Sequence, residues 1–146
     1  MATKTFENVR RLLAARLEQM TEIGEGSPQG VGVDHIELER VGKNAPVADI
    51  ADTLASDAEW ERLRRDDTPA RETCARILTI KEACSKALGT GISEELAWTD
   101  LEIPRVSARP FRVRFSRFSR RNLYAISGVA DERAFAAAAV FERQSS

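Results

Sequence analysis

The sequence predicts one α+β domain: helices in the first two-thirds, a small antiparallel sheet in the last third, and one early strand. Three observations predict it. Apolar residues recur at three- and four-residue steps over 6–20 and 70–88. The period falls to two at 111–115, where Phe111, Val113 and Phe115 alternate with Arg112 and Arg114. Residues 31–36, with Val31, Val33 and Ile36, read as a short strand after a glycine- and proline-rich linker. The 146 residues suit a single domain, and folding at this size hides roughly two-thirds of the unfolded surface, enough for a core.

Phe6, Val9, Leu13, Leu17 and Met20 share one helical face, with Thr3 or Thr5 as a cap. Residues 24–30 carry three glycines and a proline, so the chain divides into a leading helix and linker (1–30) and a domain proper (31–146). Residues 31–36 read as a strand, 37–41 as a helical turn, 44–46 as a break, and 47–54 as another turn or two of helix. Residues 57–65 read as helix, with Asp57 suited to the dipole at its start. Thr68-Pro69 opens the next helix, because proline is tolerated in a first turn. That helix runs over 70–88, with Ile77, Ile80, Cys84, Ala87 and Leu88 on one face and Thr79, Glu82 and Lys86 opposite. Gly89-Thr90-Gly91 ends it. Residues 123–127 and 136–142 are further strands, although the alanines at 136–139 fit helix equally well. There is no internal repeat.

The formal net charge of −1 gives no global field that would recruit nucleic acid or membrane. Arg105, Arg109, Arg112, Arg114, Arg117, Arg120 and Arg121 nevertheless fall in a stretch with no acidic residue. It reads as the wet face of an edge strand, or as a basic groove for phosphates or an acidic protein. Single-stranded nucleic acid on Phe111, Phe115 and Phe118 is the rival from another class, disfavoured by the net charge and the lack of a known module. Cys74 and Cys84 lie about 15 Å apart along one helix and cannot bridge. Two free thiols suit a reducing compartment. The apolar run 134–141 is too short to span a bilayer, and the N-terminus lacks a secretory apolar run, so the cytoplasm is the expected location.

Two carboxylates stand out. Asp34 ends a strand that begins with Gly30 and Gly32, and Glu82 sits in mid-helix with Lys86 one turn later. Spacing leaves two readings open. Glu82 and Lys86 can be a solvated i,i+4 pair worth about 0.3–0.5 kcal/mol. Alternatively, Asp34 and Glu82 can be the hard oxygen ligands of a magnesium ion, which takes one or two carboxylates plus phosphate oxygens and water. Lys86 would then neutralise a phosphate.

Val31-Gly32-Val33-Asp34-His35-Ile36-Glu37-Leu38 resembles the opening motif of the holo-acyl-carrier-protein synthases. Lys81-Glu82-Ala83-Cys84-Ser85-Lys86-Ala87-Leu88-Gly89-Thr90-Gly91, with Arg76 ahead of it, is similar to their signature helix. Trp98-Thr99-Asp100-Leu101-Glu102-Ile103 and the end of the chain match the family's later strands, so the resemblance covers about residues 31–143. It implies a 4′-phosphopantetheinyl transferase-like half-fold plus an extra N-terminal helix. The implied activity moves 4′-phosphopantetheine from coenzyme A, the co-substrate, to a serine of an acyl carrier protein of fatty-acid or polyketide type. By the same resemblance Asp34 and Glu82 are the Mg²⁺ ligands. Glu82 and Lys86 carry catalysis, and Arg76, Lys81, Lys86, Arg109 and Ser127 contact coenzyme A. Short members of the family are homotrimers with active sites between subunits, and the same assembly is expected here.

Three features depart from the family pattern. Gly128 stands where the family carries a nucleotide-binding histidine, and His35 where it has an aliphatic residue. Ala108-Arg109-Pro110 stands where Gly-Lys-Pro is common, with the charge kept. His35 shares a strand face with Val31 and Val33, opposite Asp34; it reads as a packed or strand-end histidine, or as a compensating group at the site. The Gly128 departure opens an alternative: a non-catalytic homologue that binds carrier protein or coenzyme A as a scaffold.

Overall fold

A computed structural model describes residues 11–12, 15–16, 18–22, 27–92, 96–115 and 121–142. The elements are β1 (Gly30–Glu37), α1 (Val47–Leu54), α2 (Asp57–Leu63), α3 (Ala70–Leu88), β2 (Leu101–Glu102), β3 (Phe111–Phe115), β4 (Arg121–Ala130) and β5 (Arg133–Glu142). The five strands form one antiparallel sheet in the order β1-β5-β4-β3-β2. The α+β expectation holds.

The alanine run resolves as strand. β5 lies between β1 and β4 with both faces covered, and Ala134 through Phe141 are all buried. A strand covered on both faces carries no polar alternation, and small side chains let layers approach from both sides. β4 and β5 are longer than the pattern suggested and meet through Asp131 and Glu132, whose φ angles are 49° and 60°. That left-handed pair makes a two-residue hairpin turn without the usual glycine or asparagine.

α3 packs on the inner face, where Ile77, Ile80, Ala83, Cys84 and Ala87 meet Ala136, Ala138 and Val140 of β5 and Leu123 of β4. The expected two-faced helix is in fact buried nearly all round, Thr79 and Lys81 included. The sheet lies on one side of it and α1 and the 98–103 segment lie on the other. Thr79 therefore turns inward and donates to the carbonyl of Ala75 at 2.9 Å. Gly89, in the left-handed conformation at φ 78°, stops the helix where the sequence placed its end.

The described residues between 11 and 22 are helical; residues 6–10, 13, 14 and 17 of the predicted leading helix lie outside the described part. Met20 is fully buried on the outer face of the sheet with Ile126, Phe135, Ala137, Ala139 and Phe141. Among the described residues no helix is long and apolar enough to cross a membrane.

Candidate active site

The site begins with two glycines. Gly30 and Gly32 alternate toward α3, and a Cβ on them would run into the backbone carbonyls of Ala87 and Ala83 respectively. Their missing side chains let the backbones of strand and helix touch. The next residue on that face is Asp34, so it emerges beside α3, where Glu82 and Lys86 project.

Lys86 Nζ lies 3.1 Å from Asp34 Oδ1 and 3.1 Å from the carbonyl oxygen of Val33. It bridges helix to strand; among the described residues no ion pair joins it to Glu82, so the solvated i,i+4 pair is not what forms. Glu82 is half-buried, and its proton affinity is raised, first by that burial and next by the Asp34 carboxylate, with Lys86 acting the other way. Two carboxylates, one raising the proton affinity of the other, with a single ammonium bonded to one of them, make a site in which added positive charge is stabilising.

Among the described residues no cluster of three or more His, Cys, Asp or Glu forms a metal cage. Asp34 and Glu82 supply two hard oxygen donors, the kind of donor set that would suit an ion completing its shell with water and phosphate.

A second group lies along the same inner face. Asp34 is registered with Ala136, and Ala136 with Ser127, which places Ser127 two strands away, about 10 Å. Arg76 Nε donates to Ser127 Oγ at 3.0 Å, and its Nη2 to the Ser127 carbonyl at 3.1 Å. The Ser127 amide donates to the Ser107 carbonyl at 2.8 Å, which brings in the loop carrying the exposed Arg109. The loop carrying Arg109 thus lies next to the Arg76–Ser127 pair, in which Ser127 is fully buried.

Lys81 is a correction. Its side chain is 0% exposed, and its three ammonium protons go to the Leu54 carbonyl (2.7 Å), Glu59 Oε1 (2.7 Å) and the Trp98 carbonyl (2.9 Å). No donor remains for a coenzyme A phosphate. Burial lowers the ammonium's proton affinity and Glu59 raises it again. Glu59 Oε2 also accepts the Ile103 amide at 2.6 Å, so this buried pair ties α2, α3 and the 98–103 segment together. Sequence reasoning missed Glu59. It lies 22 residues before Lys81, and nothing in the period of α2 marks a buried carboxylate.

The other departures also have places. His35 is exposed on the outer face beside Val31 and Val33, opposite Asp34 and near the end of β1, a strand-end histidine. The ring of Phe135 lies against Gly128 and occupies the volume a side chain there would need. Arg105, Arg112, Arg114 and Arg121, with Asp100 and Glu102, line a groove of about 690 Å³. It sits at the β2–β3 edge and reaches β4 only at Arg121, two strand spacings (about 10 Å) from β1. Within one chain that groove and the Asp34 site are separate; Arg117, Phe118 and Arg120 lie outside the described residues.

Comparison with known proteins follows the same lines. The family model described as the 4′-phosphopantetheinyl transferase superfamily matches residues 30–140. A holo-[acyl-carrier-protein] synthase from Shewanella sp. (strain ANA-3) is 32% identical over 121 residues, covering 76% of this chain and 93% of its own. Another, from Exiguobacterium sp. (strain ATCC BAA-1283 / AT1b), is 36% identical over 83 residues, covering 56% of this chain and 68% of its own. The crystal structure of a holo-(acyl-carrier-protein) synthase from Bacillus anthracis in complex with CoA (3′,5′-ADP) superposes with a TM-score of 0.62 at 27% identity. That match covers 79% of this chain and 96% of the other.

Proposed function

The chain belongs to the 4′-phosphopantetheinyl transferase superfamily, and we propose that in it Asp34 and Glu82 hold magnesium beside the diphosphate of coenzyme A while Lys86 balances phosphate charge. The enzyme is a holo-acyl-carrier-protein synthase: it transfers 4′-phosphopantetheine from coenzyme A to a carrier-protein serine and releases 3′,5′-ADP. The scaffold alternative is not favoured, since the relatives reported above are named as synthases.

Such a transfer forms one phosphorus–oxygen bond and breaks another. The protein's task is positioning and charge compensation more than covalent chemistry. Magnesium supplies positive charge against the phosphate oxygens when bound. The two carboxylates fix where that charge sits, because strand and helix are locked together through Gly30 and Gly32. Lys86 is half exposed on a flexible stem, so its ammonium can follow a phosphate oxygen as charge develops. Arg76 and Arg109 take the nucleotide end, with Ser127 orienting Arg76 rather than meeting the ligand itself.

The active assembly in this reading is a homotrimer with sites between subunits. Its support is a pair of valines, Val31 and Val33, which are 52% and 47% exposed on the outer face of β1 while Asp34 faces inward on the same edge strand. A second copy covering these valines would stand next to the site. Residues 1–30 are read as an appendage outside the transferase unit of 31–146, supported by Met20, which is fully buried against the outer face of the sheet. Free buried cysteines suit a reducing cytoplasm, and the product would serve fatty-acid or polyketide synthesis.

The observation that carries the magnesium reading is the closeness of Asp34 and Glu82, with Lys86 as the counter-ion at Asp34. The test is mass spectrometry of apo acyl carrier protein incubated with this protein and coenzyme A. The carrier should gain one phosphopantetheine group when Mg²⁺ is present and none in EDTA. Equal transfer in EDTA would remove the metal from the account.

A further inference from the structure

We propose that Lys86 is a stand-in cation at Asp34: it competes with the divalent ion for the same carboxylate oxygen, and binding of the ion releases it to the phosphates of the substrate. The inference rests on the magnesium reading above and adds a coupling which that reading does not contain.

Three observations carry it. Lys86 Nζ is held by Asp34 Oδ1 and the Val33 carbonyl, each at 3.1 Å. The same ammonium could have paired along its own helix with Glu82 but instead crosses to the strand, so the oxygen it takes belongs to one of the two metal ligands. Its side chain is 50% exposed, against 22% for Asp34, so the lysine can leave without opening a cavity while the carboxylate stays in place.

Electrostatics then sets the order of events. An ammonium about 4 Å from a divalent ion opposes the ion's binding by roughly thirtyfold in affinity even at the dielectric of bulk water. It also competes for the same oxygen lone pairs. Coenzyme A relieves both effects, because its phosphates give the ammonium new acceptors. Metal and co-substrate are therefore coupled through Lys86, beyond any direct bond between them, and by linkage each raises the affinity of the other by the same factor.

The test uses Mn²⁺ as the probe, with its binding to the full-length protein followed by electron paramagnetic resonance. Without coenzyme A, Lys86→Met should bind Mn²⁺ about thirtyfold more tightly than the native protein. Lys86→Arg keeps the charge beside Asp34 and should bind like the native protein. Adding coenzyme A should raise Mn²⁺ affinity by a larger factor in the native protein than in Lys86→Met. Thermal melts confirm that each half-exposed substitution folds.

Lys86→Met binding no more tightly than native overturns the stand-in role, as does Lys86→Arg binding as tightly as Lys86→Met. Asp34→Asn in the Lys86→Met background separates the two claims. If it abolishes Mn²⁺ binding, the metal reading stands whatever Lys86 does. If it leaves binding unchanged, or if no variant binds Mn²⁺, the metal reading falls and the stand-in falls with it.

Discussion

Lys86 of α3 meets Asp34 of β1 across the sheet edge, Nζ to Oδ1 at 3.1 Å, in preference to Glu82 one turn back on its own helix. The contact joins the two motifs that the sequence holds about fifty residues apart. As a partly exposed pair it stabilises the fold by less than about 1 kcal/mol. Its importance lies in where it puts a positive charge. Lys86→Ala should therefore lower turnover about a hundredfold or more while moving stability by no more than about 0.5 kcal/mol. Lys86→Arg should restore activity only in part, because a planar fork does not replace a compact ammonium. Holo-carrier formation at saturating coenzyme A, with melts of the same preparations, checks both. Wild-type turnover in Lys86→Ala would take Lys86 out of the site.

Gly32→Ala tests how the site is positioned. The new methyl would strike the Ala83 carbonyl, a backbone atom in the middle of a packed helix that cannot swing aside. A cost of about 2–3 kcal/mol is expected from overpacking, read as a lower urea midpoint. Transfer should fall as well, since Asp34 is displaced from Glu82. A substitution that is neutral in both assays would mean the strand can slide without consequence.

The legible parts of this molecule were those marked by local chemistry. Pro69 and Gly89 bracket α3, and the structure ends it at both. The strand carrying Asp34 and the helix carrying Glu82 were correctly placed, because each lay in a motif. The β4–β5 hairpin was only half read, because its turn is Asp131-Glu132 and lacks the glycine that announces a left-handed pair. Thr79 and Lys81 were assigned to the wrong surroundings for another reason. Periodicity reports one buried face, whereas α3 is enclosed on several sides. No helical wheel shows what covers the second side.

The Lys81–Glu59 pair yields a prediction about structure rather than catalysis. Lys81→Met alone leaves the Glu59 carboxylate buried with only the Ile103 amide, and should cost about 3–5 kcal/mol. Adding Glu59→Leu should return much of that loss, because the stranded charge is gone. A double-mutant cycle by urea denaturation measures this. Additive losses would mean the two groups are not coupled as the 2.7 Å contact implies.

Both cysteines should be silent in the native protein. Burial pushes the Cys74 thiol up to about 11 and the Cys84 thiol up to about 12, from an ordinary value of 9.0. A raised thiol pKa favours the protonated, unreactive form, so at pH 8 only about one Cys74 in a thousand is thiolate, against roughly a tenth when unfolded. A disulfide reagent at pH 8 should find no fast-reacting thiol until urea unfolds the chain, and then two. Rapid native labelling of either cysteine would contradict the packing of α3 against α1 and the sheet.

The central claim is that Asp34 and Glu82 act together as the seat of the cation that drives transfer. Replacing either carboxylate with its amide, Asp34→Asn or Glu82→Gln, keeps the shape and removes one hard anionic ligand. Mass spectrometry of the carrier protein after incubation with coenzyme A and Mg²⁺ is the direct measurement. Each variant should form holo-carrier at least about a hundredfold more slowly than the native enzyme, while melting close to it. A variant of either position that transfers at the native rate would contradict the account.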